Sequence, residues 1–201
     1  MGSQAMSSSD NKLTISVLAR DSVKAIVPYA SARSSMSGGA VWLNANENAL
    51  APEYQLSGSY NRYPECQPPA LIAAYAAYAG VDTSQVLVSR GADEGIELLI
   101  RSFCEPKTSG QAGDSILICP PTYGMYEVSA NINDVQLKRV NLTEDYQLNL
   151  EGIAEAIDKN TKLIFICSPN NPTGNSINRE DIETILANFN GIVVVDEAYI
   201  N

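Results

Sequence analysis

The run Lys162-Leu163-Ile164-Phe165-Ile166-Cys167, the turn Ser168-Pro169-Asn170-Asn171-Pro172-Thr173-Gly174 behind it, and the second run Ile192-Val193-Val194-Val195, closing on Asp196-Glu197-Ala198-Tyr199, decide the fold. Both apolar runs read as buried strands. Between them Ile182, Ile185, Leu186 and Phe189 recur at i, i+3, i+4 and i+7, the stripe of a helix lying on a sheet. A strand, a helix and another strand in that order argue for a layered α/β fold with a largely parallel sheet flanked by helices.

The same alternation extends back toward the N-terminus. The spacing predicts helices over 70–79, 93–104, 123–131, 150–158 and 179–189, and strands over 86–89, 115–119, 135–140, 162–167 and 191–195. Ile96, Leu99, Ile100 and Phe103 make a second apolar stripe, and Asn178 is placed to cap the last helix with Glu180 and Asp181 in its first turn. Residues 1–12 read as disordered, 13–27 carry helical spacing, and 28–70 are rich in Pro, Ser, Asn and Tyr with little periodicity. The expected organisation is an arm with loops over 1–70 and a layered domain over 71–201.

At 201 residues the chain is long enough to bury a real core. Thirteen basic against twenty-three acidic residues give a net charge of −10, which opposes attraction to nucleic acid or anionic lipid. The first six residues are polar and no run approaches the ~20 apolar residues that span a bilayer, so a soluble cytoplasmic protein is expected. Cys66, Cys104, Cys119 and Cys167 are widely separated and read as inert core thiols. The chain has no histidine, which excludes Ser-His-Asp, Cys-His and His-zinc chemistry; no metal site is expected.

Several turns carry polar chemistry at the ends of predicted strands. Val86-Leu87-Val88-Ser89 leads through Arg90-Gly91-Ala92-Asp93-Glu94-Gly95 into a helix, exposing amides suited to a phosphate, although an ordinary strand-to-helix turn has the same composition. Neither GxGxxG nor a GK[ST] ending is present, so Rossmann and P-loop readings fail. Tyr123, in Pro120-Pro121-Thr122-Tyr123-Gly124, can stack on a flat heterocycle or simply sit at a rim. Asn171 lies in a turn whose Asn, Pro and Gly also suit a plain loop. Asp196 ends a buried strand, where a carboxylate calls for a cationic partner unless it only caps a turn.

Together these stretches resemble the fold-type I pyridoxal-phosphate aminotransferases, and among them the histidinol-phosphate aminotransferase family. The resemblance runs from about Leu13 onward, through Trp42-Leu43-Asn44-Ala45-Asn46-Glu47, Asn61-Arg62-Tyr63-Pro64-Glu65, Ser89-Arg90-Gly91-Ala92-Asp93-Glu94, Pro120-Pro121-Thr122-Tyr123-Gly124-Met125-Tyr126 and the two opening stretches. It implies pyridoxal 5'-phosphate as cofactor, with Ala92 and Asp93 at its phosphate, Tyr123 on its ring, Asn171 and Tyr199 at its phenolic oxygen and Asp196 at its pyridine nitrogen. Tyr63 would reach the cofactor phosphate of a neighbouring subunit, which implies a homodimer. Tyr29 and Asn46 would line the substrate pocket. Cis bonds are implied at Pro120–Pro121 and Asn171–Pro172.

The implied reaction exchanges histidinol phosphate and imidazole-acetol phosphate against 2-oxoglutarate and glutamate. By the resemblance the family's Schiff-base lysine and two arginines would fall beyond Asn201, so the sequence is expected to be the first, incomplete part of the cofactor-binding domain. None of Lys12, Lys24, Lys107, Lys138, Lys159 or Lys162 sits in a matching motif, and each reads as a solvated surface cation. The alternatives are a related aminotransferase, a threonine-phosphate decarboxylase, or a module that holds the cofactor without catalysis.

Overall fold

In the computed structural model the described residues are 19–27, 41, 43, 47, 50 and 65–200. The chain divides into two compact units, Tyr29–Leu98 and Met1–Pro28 with Leu99–Asn201. The second unit carries a parallel four-stranded sheet. Its elements are helix α1 (Asp21–Lys24), the end of α3 (Ala92–Phe103), β1 (Ser115–Ile118), α4 (Met125–Ile132), β2 (Gln136–Arg139), α5 (Leu150–Ala156), β3 (Thr161–Cys167), α6 (Arg179–Asn188) and β4 (Ile192–Asp196).

The strand order is β2-β1-β3-β4, and every neighbouring pair is parallel. From β1 the chain steps outward to β2 and then returns past β1 to β3, so the direction of winding reverses between β1 and β3. In open α/β sheets a crevice opens at such a point, outside the carboxyl ends of the strands. The loops after β1 and β3 therefore flank the natural ligand position of this fold.

The two central strands, β1 and β3, are buried almost throughout, which explains their apolar runs, whereas the edge strand β2 is polar and partly exposed and β4 is half-buried. Leu117, Cys119, Ile164 and Ile166 face one way and cluster with Ile153 of α5 and with Ile185 and Phe189 at α6. On the opposite face Phe165 lies under Tyr126 of α4. Ile116, Leu117, Leu163, Ile164 and Phe165 are fully buried; each such side chain contributes about 1.5–3 kcal/mol by leaving water. Gly191 lets β4 start tight against its neighbours: a Cβ there would come within 2.3 Å of the Phe189 ring and 2.7 Å of the Lys162 carbonyl oxygen.

Several expectations shift in detail. The helix predicted over 123–131 begins at Met125, because Tyr123 and Gly124 belong to the preceding turn. Asn178 occupies the N-cap position of α6, but its side chain makes no capping bond and instead donates to Asp181 Oδ2 at 3.3 Å. Asn149, not foreseen as a cap, accepts from the Gly152 amide at 2.9 Å and starts α5. Lys138 is not a solvated cation: its Nζ donates to Ala156 O at 2.8 Å and Thr161 Oγ1 at 3.0 Å and pairs with Asp158 Oδ2 at 2.8 Å. It ties β2 to the α5–β3 connection. Of the four thiols, Cys104, Cys119 and Cys167 are buried, whereas Cys66 is exposed.

The Tyr29–Leu98 unit contains α2 (Pro69–Ala79), a 3₁₀ turn (Thr83–Gln85) and the start of α3. Asp82 and Gln85 close a reciprocal capping box on the 3₁₀ turn. Residues 86–89, expected as a strand, belong to no ladder. The Gln67 carboxamide takes the place of a neighbouring strand: Nε2 donates to Val88 O and Val88 N donates to Oε1, both at 2.9 Å.

Candidate functional site

At the carboxyl end of the sheet, β3 and β4 finish side by side, with Cys167 in register with Asp196. Asp196 is half-buried rather than turned into bulk water. Its Oδ2 accepts from the Tyr126 hydroxyl at 2.7 Å and its Oδ1 from the Ala198 amide at 3.1 Å. Each oxygen keeps further lone-pair capacity. The carboxylate is thus held in a fixed plane and still able to accept a donor.

Tyr126 reaches Asp196 because its side chain extends from the first turn of α4 over Phe165 of β3. Its ring stacks on Phe165, with centroids 4.9 Å apart and planes 22° apart, and meets Tyr123 edge-on at 5.6 Å and 87°. Burial first, and then the hydrogen bond to Asp196, pushes the Tyr126 phenol far above its usual range. It remains a protonated donor at any working pH. Burial also raises the Cys167 thiol, against the lowering influence of hydrogen bonds from the Asn171 backbone and Tyr126.

The loops after β1 and β3 are pinned together by Asn170, a buried side chain. Its Nδ2 donates to Pro121 O at 2.9 Å and Thr173 Oγ1 at 2.7 Å, and its Oδ1 accepts from Thr122 Oγ1 at 2.9 Å. Asn171, next in sequence, is half-buried, and its carboxamide makes no hydrogen bond among the described residues. The bonds Pro120–Pro121 and Asn171–Pro172 are cis as expected, and Ser168–Pro169 is cis as well. Tyr199 lies in a turn just past β4, 39% exposed.

In the other unit Ala92 and Asp93 open α3, whose first-turn amides point out of the helix end. Gly91 supplies the φ of +87° that turns the chain into the helix. Glu94 is drawn back onto Arg90: Oε2 accepts from the Arg90 amide at 2.6 Å and Oε1 from Nη2 at 2.8 Å. These bonds hold the Glu94 carboxyl below its usual range.

The structure brings Tyr123 and Asp196 into one aromatic and acidic cluster through Tyr126 and sets Asn171 in the loop clamped beside it. Ala92 and Asp93 belong to the other compact unit. Tyr29, Asn46 and Tyr63 lie outside the described residues. Tyr126 and Asn170 were present in the quoted motifs without an assigned role. The sequence signal for Tyr126 was a tyrosine one helical turn before Ala130 on a buried face, where a hydroxyl needs an acceptor.

Comparison with known proteins decides the family. The family model for aminotransferase class I and II matches residues 39–201. The chain belongs to this family. A histidinol-phosphate aminotransferase of Yersinia enterocolitica is 58% identical over 97% of the chain and 50% of its own length. Among solved structures, N-succinyldiaminopimelate aminotransferase of Mycobacterium tuberculosis aligns with a TM-score of 0.62 at 28% identity, covering 69% of this chain and 38% of that one. The histidinol-phosphate aminotransferase of Clostridium acetobutylicum aligns with a TM-score of 0.54 at 29% identity, covering 65% and 36%. The chain spans about half the length of the curated relatives it matches. Among the described residues no helix is long and apolar enough to cross a membrane.

Within the aminotransferase class I and II family, the donor set here fits a flat, cationic heterocycle. A fixed carboxylate at the strand end suits a protonated ring nitrogen, the half-buried Tyr123 phenol suits the ring face, and the Asn171 carboxamide is available to a ring oxygen.

Proposed function

We propose that the polypeptide carrying these residues is a pyridoxal-phosphate-dependent histidinol-phosphate aminotransferase of histidine biosynthesis. It exchanges histidinol phosphate and imidazole-acetol phosphate against 2-oxoglutarate and glutamate, as a cytoplasmic homodimer. The observation that carries this reading is the Asp196 carboxylate, fixed at the end of β4 by Tyr126. The identity to relatives bearing that name supports it.

When bound, the cofactor supplies an electron sink for bond-breaking at the substrate's α-carbon. Asp196 keeps the ring nitrogen protonated by pairing its charge with it. Tyr123 covers the ring, while Asn171 and Tyr199 donate to its phenolic oxygen. Ala92 and Asp93 offer amides to the phosphate, with Arg90 neutralising Glu94 nearby. Tyr63 reaches across from the neighbouring subunit, and Tyr29 and Asn46 contact substrate. In this reading 71–201 form the first part of the cofactor-binding domain, and 1–70 the arm and loops.

The test is an assay of the complete gene product for glutamate-dependent amination of imidazole-acetol phosphate, beside other oxo acids and phosphothreonine. Preference for imidazole-acetol phosphate is expected. Preference for another oxo acid, or release of carbon dioxide from phosphothreonine, overturns the substrate assignment. Absence of any cofactor absorbance overturns the whole reading.

A further inference from the structure

Among the described residues one buried hydroxyl, that of Tyr126, is directed at the strand-end carboxylate. Tyr126 is fully buried, with no accessible surface. Two contacts fix its ring from different elements: Phe165 of β3 stacks beneath it and Tyr123 abuts it edge-on. A phenol so confined delivers its O–H along one direction, and that direction ends on Asp196 Oδ2, 2.7 Å away. Without this bond the Asp196 side chain would be held only by the Ala198 amide on Oδ1. Rotation about its terminal torsion, which is broad for Asp, would then be available.

We propose that Tyr126 is a positioning residue: through its hydroxyl it sets the plane in which the Asp196 carboxylate presents its remaining lone pairs to the ring nitrogen of the cofactor. This rests on the reading that Asp196 pairs with that nitrogen. Tyr126 itself touches neither cofactor nor substrate; it acts through Asp196. The phenol fits the task because its proton stays on oxygen: burial and the carboxylate both oppose its ionisation. The arrangement also connects the ring-covering wall to the charge-pairing one. Tyr123, just before α4, abuts the ring of Tyr126 in its first turn, so the residue that covers the cofactor and the one that orients its counter-charge are in direct contact.

A purely structural role is the competing explanation, since a buried phenol and a buried carboxylate each need a partner. The two differ in how the effects combine. The complete gene product, Tyr126→Phe, Asp196→Asn and the double variant are titrated with pyridoxal 5'-phosphate, reading the dissociation constant and the induced circular dichroism of the bound chromophore. Melting curves without cofactor are recorded in parallel. Tyr126→Phe keeps the ring on Phe165, and loss of a charge-assisted bond is expected to weaken cofactor binding about tenfold and to alter the induced signal. In the Asp196→Asn background the same change is expected to add little, because the oriented charge is already gone.

Equal affinity and an unchanged induced signal in Tyr126→Phe overturn the proposal. So does an equal loss in both backgrounds, the mark of lost packing alone. Should Tyr126→Phe not fold, the cycle is run with Phe165→Leu, which loosens the ring's seat and keeps the hydroxyl. A loss that depends on Asp196 supports the proposal, and one independent of Asp196 overturns it. Failure of the unmodified protein to bind cofactor removes the functional reading beneath the proposal. Binding that is indifferent to Tyr126 removes the proposal alone.

Discussion

The Thr122 hydroxyl and the Asn170 carboxamide close the gap between the loops after β1 and β3, Thr122 Oγ1 donating to Asn170 Oδ1 at 2.9 Å. Asn170 answers with a bond to Pro121 O at 2.9 Å, so one side chain fastens the loop that carries Tyr123 to the loop that carries Asn171. Two strands converge on the crevice, and this residue sets how wide it opens.

Asn170→Ala is therefore expected to lower stability by about 1–3 kcal/mol, since it leaves buried polar partners unsatisfied. Urea unfolding followed by far-ultraviolet circular dichroism measures it. A change within about 0.5 kcal/mol, the level of an ordinary surface substitution, would show the clamp to be dispensable.

Asp196→Ala is expected to abolish turnover of the complete gene product, because the bound ring loses the charge that keeps its nitrogen protonated. Steady-state assay decides this, and preserved turnover would refute the assigned role. The same substitution strips the Tyr126 hydroxyl of its acceptor, so a loss of about 1–3 kcal/mol in unfolding free energy should accompany it.

Burial pushes the Cys119 thiol up to about 12, and burial with the Asp114 charge beside it pushes Cys104 up to about 11, both from 9.0. Thiolate is the nucleophile, so in the native protein a thiol reagent at mild alkaline pH should modify exposed Cys66 quickly and the three buried thiols only on unfolding. The linkage has a definite sign. The folded state resists ionisation that the unfolded state undergoes near 9, so these thiols' contribution is complete below that pH. It is lost as pH rises through about 11 and 12. Denaturant midpoints measured from pH 8 to 11 should fall accordingly.

Phe165→Ala should cost about 3–5 kcal/mol, a core cavity of the usual size for a lost ring. Because Tyr126 stacks on that ring, cofactor affinity should fall with it. A stability loss with unchanged affinity would show that the phenol does not depend on this seat.

Much of this architecture was legible from the residues. The apolar runs at 162–167 and 191–195 and the helical stripe Ile182, Ile185, Leu186 and Phe189 between them argue for parallel pairing through a crossover. Strand order was not legible, since nothing local in Ser115–Ile118 says that Gln136–Arg139 lies on one side and Thr161–Cys167 on the other. Val86–Ser89 has β-branched residues yet forms no ladder among the described residues; the Gln67 carboxamide bonds the Val88 backbone instead, a contact that propensity cannot reveal. Asp196 was legible as an anomaly, a carboxylate ending an apolar strand. Asn170 was not, since Asn in a Pro-rich turn reads as a turn former until its contacts across the crevice are seen. Tyr126 was hidden in the same way: its acceptor lies seventy positions along the chain.

Every rung of the sheet joins distant stretches: Ser115 faces Gln136 on one side and Thr161 on the other, and Leu163 faces Ile192. No short stretch can preassemble any two of the loops bearing Tyr123, Asn171 and Asp196, and such non-local pairings form late in folding. A slip of β4 by one residue would turn Asp196 to the opposite side, away from Tyr126. On the proposed role of Asp196, ligand capture would work as a proofreading signal for strand alignment: a misaligned molecule would gain none of the stabilisation that binding confers on a correctly zipped one.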